Sequence, residues 1–118
     1  MAGVENMQID SGVRRNFDHG HVDVVQLGGA SIGRLTLEPG WKWSESVKPI
    51  VKTELCQAAH VGYVVAGTLA GVMGDGTTFR LKAGDSYTVA PGHDAWVEDG
   101  DTYVAVEFES LKDYANEA

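Results

Sequence analysis

Three side chains of the kinds that bind transition metals stand close together in the run Glu54-x-Cys56-x3-His60-x6-Gly67. A thiolate and an imidazole four residues apart can enter one coordination shell across a corner between two strands. That donor pair suits zinc first, with ferrous iron or nickel as alternatives. Glu54 alternates with Cys56, so on an extended segment both project from one face. A carboxylate turned to an apolar interior needs a cation or a donor, which makes Glu54 a third ligand or a general base. His60 can be a ligand or an acid–base group working near neutral pH. Each residue also has a structural reading. Free cysteine is among the most often buried residue types, Glu54 can pair with Lys52 or Arg34, and His60 can be a hydrogen-bonded core residue. His93, after Pro91-Gly92 and before Asp94, enters a strand from a turn; Asp94 can orient it, or the pair can face solvent.

These residues must be positioned by strands. Gly67, Gly76, Gly84, Gly92 and Gly100 recur every eight or nine residues between short β-rich runs, the spacing of an all-β sandwich or barrel. Asp75-Gly76 predicts a hairpin with a type I′ turn, and Ala83-Gly84-Asp85 and Asp99-Gly100-Asp101 predict further turns. The strands read as 21–27, 31–37, 50–56, 61–66, 69–73, 78–81, 86–90, 95–98 and 103–108. Ser110 as N-cap, with Asp113 three residues on, predicts one short C-terminal helix. Residues 1–12 read as a flexible arm, and 13–118 as a single domain able to bury about two-thirds of its unfolded surface.

The spacing of the first run resembles the cupin pattern His-x-His-x3(or 4)-Glu-x6-Gly, with Glu54 and Cys56 in the histidine slots and His60 in the glutamate slot. The second cupin pattern, Gly-x5-Pro-x-Gly-x2-His, is met by Gly84 and Gly92, while Ala90 and Ala95 take its proline and histidine slots. His93 lies two residues before the vacated slot, on the same strand face and about 6.6 Å along it. The resemblance covers roughly residues 30–108. It implies a double-stranded β-helix, or jelly-roll barrel, with a pocket between two sheets and one divalent metal held by Glu54, Cys56, His60 and His93. Cys56, His60 and His93 would then hold their donor atoms within about 4 Å of one another. The resemblance also implies a homodimer, often built by pairing of the N-terminal strand with the partner's sheet. It leaves lyase, isomerase and dioxygenase chemistry on a small organic molecule open, with Glu54 and His60 as catalytic residues. A non-catalytic ligand-binding or sensing module with a decayed metal site is the second reading. Trp41, Trp43, Tyr63, Tyr87 and Trp96 would line the pocket, with core packing or a subunit interface as their alternative.

Composition removes other classes. Seventeen acidic against nine basic residues give a formal charge of −8, which repels phosphate backbones and anionic membranes. A single cysteine excludes an internal disulfide and fits a reducing compartment. No apolar run reaches signal-peptide or membrane-span length, so a cytoplasmic location is expected. There is neither a nucleophile elbow nor a phosphate-cradling glycine loop before a helix, which argues against nucleotide chemistry.

Overall fold

The computed structural model describes residues 2–6, 12–98, 100–112 and 114–115. Three strands come first: β1 (Val13–Phe17), β2 (Gly20–Leu27) and β3 (Ala30–Leu37). Two one-turn helices follow, α1 (Trp43–Ser46) and α2 (Lys48–Val51). Six more strands complete the chain: β4 (His60–Ala66), β5 (Thr68–Met73), β6 (Thr78–Lys82), β7 (Ser86–Val89), β8 (His93–Glu98) and β9 (Tyr103–Phe108). They form a six-stranded sheet in the order β1-β2-β3-β9-β4-β7 and a three-stranded sheet in the order β6-β5-β8. Every pairing is antiparallel, and the last strand inserts between β3 and β4. The result is a jelly roll whose core lies between the two sheets.

Period-two alternation decides which residues meet there. On β4, His60, Gly62 and Val64 are buried while Val61, Tyr63 and Val65 are exposed. On β9, Tyr103, Ala105 and Glu107 face inward. With Leu35, Leu37, Leu69, Leu81, Trp41 and Trp43 they build the core.

The strands agree with the sequence reading except in the segment 50–56. Lys48–Val51 is a helical turn, Lys52 is left-handed at φ 63°, and Cys56 makes an isolated bridge to His93. One-turn helices are marginal by themselves. Here Trp43 and Val47, both fully buried, anchor the pair, and Asp94 Oδ1 accepts the Ser44 N–H at 3.1 Å. The sequence reading also missed β1, which pairs with β2 in register from Val13 with Val24 to Phe17 with Gly20.

Two local expectations are corrected. The Asp75-Gly76 connection is not type I′. Only Gly76 has positive φ, at 92°, while the Asp75 carboxylate accepts the Thr77 N–H at 2.9 Å. The C-terminal segment is also not the expected helix: residues 110–112 and 114–115 are turns, and Asp113 lies outside the described residues. Ser110 donates to Glu107 Oε1 at 2.6 Å instead of capping, and the Arg15 guanidinium takes up the carbonyls of Leu111, Lys112 and Tyr114. Burial of Leu111 and Tyr114 outweighs the weak helical preference of so short a run. Of the N-terminal arm, residues 2–6 and 12 are described and belong to no strand or helix; Asp99 of the last predicted turn lies outside the described residues.

Candidate metal centre

Cys56, His60 and His93 come from three different stretches of backbone and converge between the sheets. His60 opens β4 and His93 opens β8, each on an inward position. Cys56 is stitched beside His93 by its N–H, which donates to the His93 carbonyl at 2.8 Å, and by the Gly92 N–H, which donates to the Cys56 carbonyl at 2.7 Å. All three residues are buried. Cys56 Sγ lies 3.8 Å from His60 Nε2, and one ligand atom from each of the three lies within 4.8 Å of the others.

The ring nitrogens are sorted by their other contacts. His60 Nδ1 lies 2.6 Å from Glu107 Oε1, and His93 Nδ1 lies 2.7 Å from the carbonyl of Ala90. Both acceptors hold the proton on Nδ1 and leave the Nε2 lone pair for the cluster, as carboxylate and carbonyl partners of metal-bound histidines do. A tetrahedral ion with bonds of about 2.3 Å to sulfur and 2.0 Å to nitrogen needs donors roughly 3.5 Å apart. The donors, spread over up to 4.8 Å, stand wider than this and wider than the ~4 Å expected from the sequence, so the three side chains must draw together to close on an ion. A thiolate and two imidazoles thus fit one borderline-soft divalent ion.

Glu107 is the residue that sequence reasoning missed. Buried on β9, it accepts hydrogen bonds from His60, from Ser110 and from the Tyr87 hydroxyl. Burial pushes its carboxyl up, but the His60, Ser110 and Tyr87 contacts outweigh that and hold it below the usual range. Burial likewise lowers His60, while Cys56 and Glu107 raise it further, to about 10. Burial raises the Cys56 thiol, but hydrogen bonds and charge from His60 and His93 bring it down to about 7. Both directions favour charge separation between the Cys56 thiol and the His60 ring, with the Glu107 carboxylate supporting positive charge on the ring. Gly62, beside them on β4, must be glycine. A Cβ there would stand 2.4 Å from the Val106 carbonyl and 2.8 Å from Glu107 Cγ.

Other expected site residues lie elsewhere. Glu54 is outside the cluster, with a 93% exposed side chain that pairs with Lys48 Nζ at 3.0 Å. Its predicted alternation with Cys56 fails because the segment is not a strand. Tyr63 and Trp96 sit on the outward parity of β4 and β8, and Trp96 lies under Lys42 on the outer surface. Trp41, Trp43 and Tyr87 do line the interior cavity with His60, His93 and Glu107. Asp94 supports α1 and does not touch the His93 ring nitrogens among the described contacts.

That interior cavity measures about 30 Å³, room for an ion with a water and not for an organic molecule. Trp41, whose indole N–H is buried without a partner among the described residues, is part of its wall. An outer groove of about 310 Å³ runs between the α1–α2 segment and the C-terminal turns; Cys56, Trp43 and Tyr114 are among its walls. Trp43 and Tyr114 therefore separate the groove from the cavity. The Tyr114 ring stands edge-on to His60, with centroids 5.7 Å apart.

No protein-family model matches the sequence, and no curated protein matches it either. Solved structures do. The polyketide cyclase RemF from Streptomyces resistomycificus superposes with a TM-score of 0.62 at 15% identity, over 92% of this chain and 78% of that one. A cupin 2 conserved barrel domain protein from Rhodopseudomonas palustris gives 0.57 at 12% identity, over 84% and 71%. A point mutant of Bacillus subtilis oxalate decarboxylase gives 0.55 at 20% identity over 86% of this chain, which spans only 27% of that longer protein. The fold is therefore the cupin fold, a double-stranded β-helix.

Proposed function

We propose that the protein is a metal-dependent enzyme of the cupin fold that acts on a small organic molecule, with Cys56, His60 and His93 as the ligands. The observation that carries this reading is the convergence of the three donors while Glu107 and the Ala90 carbonyl occupy the opposite ring nitrogens. Zinc fits this donor set best, ahead of iron and nickel. A divalent ion bound there would polarise an oxygen of the substrate. The chain's own part is to fix that geometry. Glu107 orients His60 and raises its basicity, the β8 backbone holds Cys56 beside His93, and Trp41, Trp43 and Phe79 keep bulk water out. The substrate meets the centre from the outer groove, whose volume suits a small molecule and whose wall includes Cys56. The presence of enzymes such as the polyketide cyclase and oxalate decarboxylase among structures of this fold is compatible with catalysis and selects no reaction.

One observation favours the second reading, a non-catalytic sensing module: the interior cavity admits no organic molecule. Elemental analysis of untagged protein, followed by titration of the metal-loaded form with candidate small molecules, separates the two. The expected result is about one equivalent of transition metal per chain. It is lost in Cys56→Ser, His60→Ala and His93→Ala and kept in Glu54→Ala and His21→Ala. A metal-free wild type that also fails to load added zinc would refute the metal centre.

A further inference from the structure

Beyond β9 the chain turns back across the cluster. Glu109 makes the turn with a left-handed backbone, φ 67°, an uncommon conformation for a residue that carries a side chain. Ser31 holds it there: its carbonyl accepts the Glu109 N–H at 2.9 Å, and its own N–H donates to a Glu109 carboxylate oxygen at 2.6 Å. Past this pivot Leu111 is seated on Gly33, where a Cβ would stand 2.7 Å from it. Tyr114 follows, buried, with its ring edge-on to both Phe17 and His60. One side chain ties these turns down. The Arg15 guanidinium on β1 donates to the carbonyls of Leu111, Lys112 and Tyr114 at 3.3, 2.7 and 2.9 Å.

We propose that the turns beyond Glu109 are a gate latched by Arg15, and that Tyr114 is the residue that decides what reaches the metal ligands. With the ring in place, the interior cavity of about 30 Å³ admits water or an ion. With the ring swung out, that cavity joins the groove of about 310 Å³, which accommodates a small organic molecule. The other wall between the two spaces, Trp43, is fixed: it is fully buried, and its one-turn helix is tied to Asp94 through Ser44. Opening at Glu109 breaks the side-chain bonds of Arg15 and Ser110 and exposes Leu111 and Tyr114, but it separates no strand pair, so it costs less than unfolding. The gate rests on the reading of the cluster as a metal centre served from the groove, and it supplies the entry that the small interior cavity lacks.

Cys56, the single cysteine of the chain, reports opening without any metal. It is 3% exposed, and its sulfur faces His60 Nε2 at 3.8 Å. The measurement is the rate of Cys56 alkylation by iodoacetamide in metal-free protein, from zero to low urea. The wild type is expected to react roughly 100-fold more slowly than free cysteine, at a rate that low urea leaves flat because opening exposes little surface. Arg15→Gln and Tyr114→Ala are each expected to react at least about tenfold faster than wild type, the first because the charged latch is lost. Tyr114→Phe, which keeps the ring, and Val24→Ala, which weakens the core away from the gate, are expected to stay at the wild-type rate. Should Tyr114→Ala fail to fold, Arg15→Gln carries the test. A wild-type thiol as reactive as free cysteine overturns the gate. So does a rate that neither Arg15→Gln nor Tyr114→Ala raises, or one that Val24→Ala raises as much as they do. Zinc loading is measured on separate samples, so absence of a metal centre and absence of a gate are told apart.

Discussion

Replacing Glu107 by glutamine keeps the shape of the side chain and removes the charge that three donors share. The carboxylate accepts from His60 Nδ1 and Ser110 Oγ, each at 2.6 Å, and from the Tyr87 hydroxyl. A carboxamide offers one acceptor oxygen, and its NH2 must face one of these donors. A buried donor left unpaired costs about 1–3 kcal/mol, and exchanging a charged acceptor for a neutral one costs roughly 1 kcal/mol more. The total of about 2–4 kcal/mol lies within the ~5–15 kcal/mol of an ordinary domain, so the fold survives. At a few degrees per kcal/mol the melting temperature falls by roughly 10 °C. The imidazole loses orientation and basicity together, and partners of this kind are worth about 10–100-fold in metal affinity. Competition against a chromophoric chelator measures that loss, and thermal unfolding of the metal-free form measures the other. If the melt falls while affinity is unchanged, Glu107 serves packing alone. If neither changes, the buried carboxylate and its three hydrogen bonds are not as described.

Further outcomes follow from the same cluster. In metal-free protein the ultraviolet absorbance of the Cys56 thiolate is expected to titrate near pH 7, and in His60→Ala well above that, because burial then acts with less opposition. The folded value lies below the ordinary 9.0, so the stabilisation from Cys56 is present above pH 9 and is lost as the pH falls through about 7. That from His60, raised above its ordinary 6.5, is complete below pH 6.5 and is lost as the pH rises through about 10; melting temperatures across the range check both signs. Gly62→Ala sets a Cβ against the Val106 carbonyl and Glu107. It is expected to cost about 1–3 kcal/mol as overpacking does and to lower metal content with stability; an unchanged melt would refute the close approach.

The strands were legible because glycine turns and β-branched runs are local signals, and eight of the nine appear in the sequence with their ends shifted by at most two residues. The segment 43–56 was not. Two one-turn helices are too short to show a 3.6-residue period, and Ile50-Val51 reads as strand on propensity. What holds the segment in place is tertiary: the burial of Trp43 and Val47 and the contact of Ser44 with Asp94, fifty residues away. The same segment explains why Cys56 and His60, four residues apart, come together while Glu54 lies outside the cluster. Spacing along the chain survives a change of backbone conformation, whereas the inference that i and i+2 share a face holds only on a strand.

His93 shows where alternation does carry across. It shares its parity with Ala95 on β8, so the imidazole two residues from the vacated cupin slot still enters the barrel. Glu107 lay open to the same argument. It alternates with Tyr103 and Ala105 on a strand whose other positions are Val104, Val106 and Phe108. Each face of that strand carries apolar residues, so composition alone gives no inward side. What breaks the tie is energetic: a carboxylate buried between sheets requires donors, and an inward histidine on the neighbouring strand supplies the first. The valine–phenylalanine face is thereby turned outward. The buried carboxylate beside His60 and the outward valine–phenylalanine row are thus two consequences of one choice of strand parity.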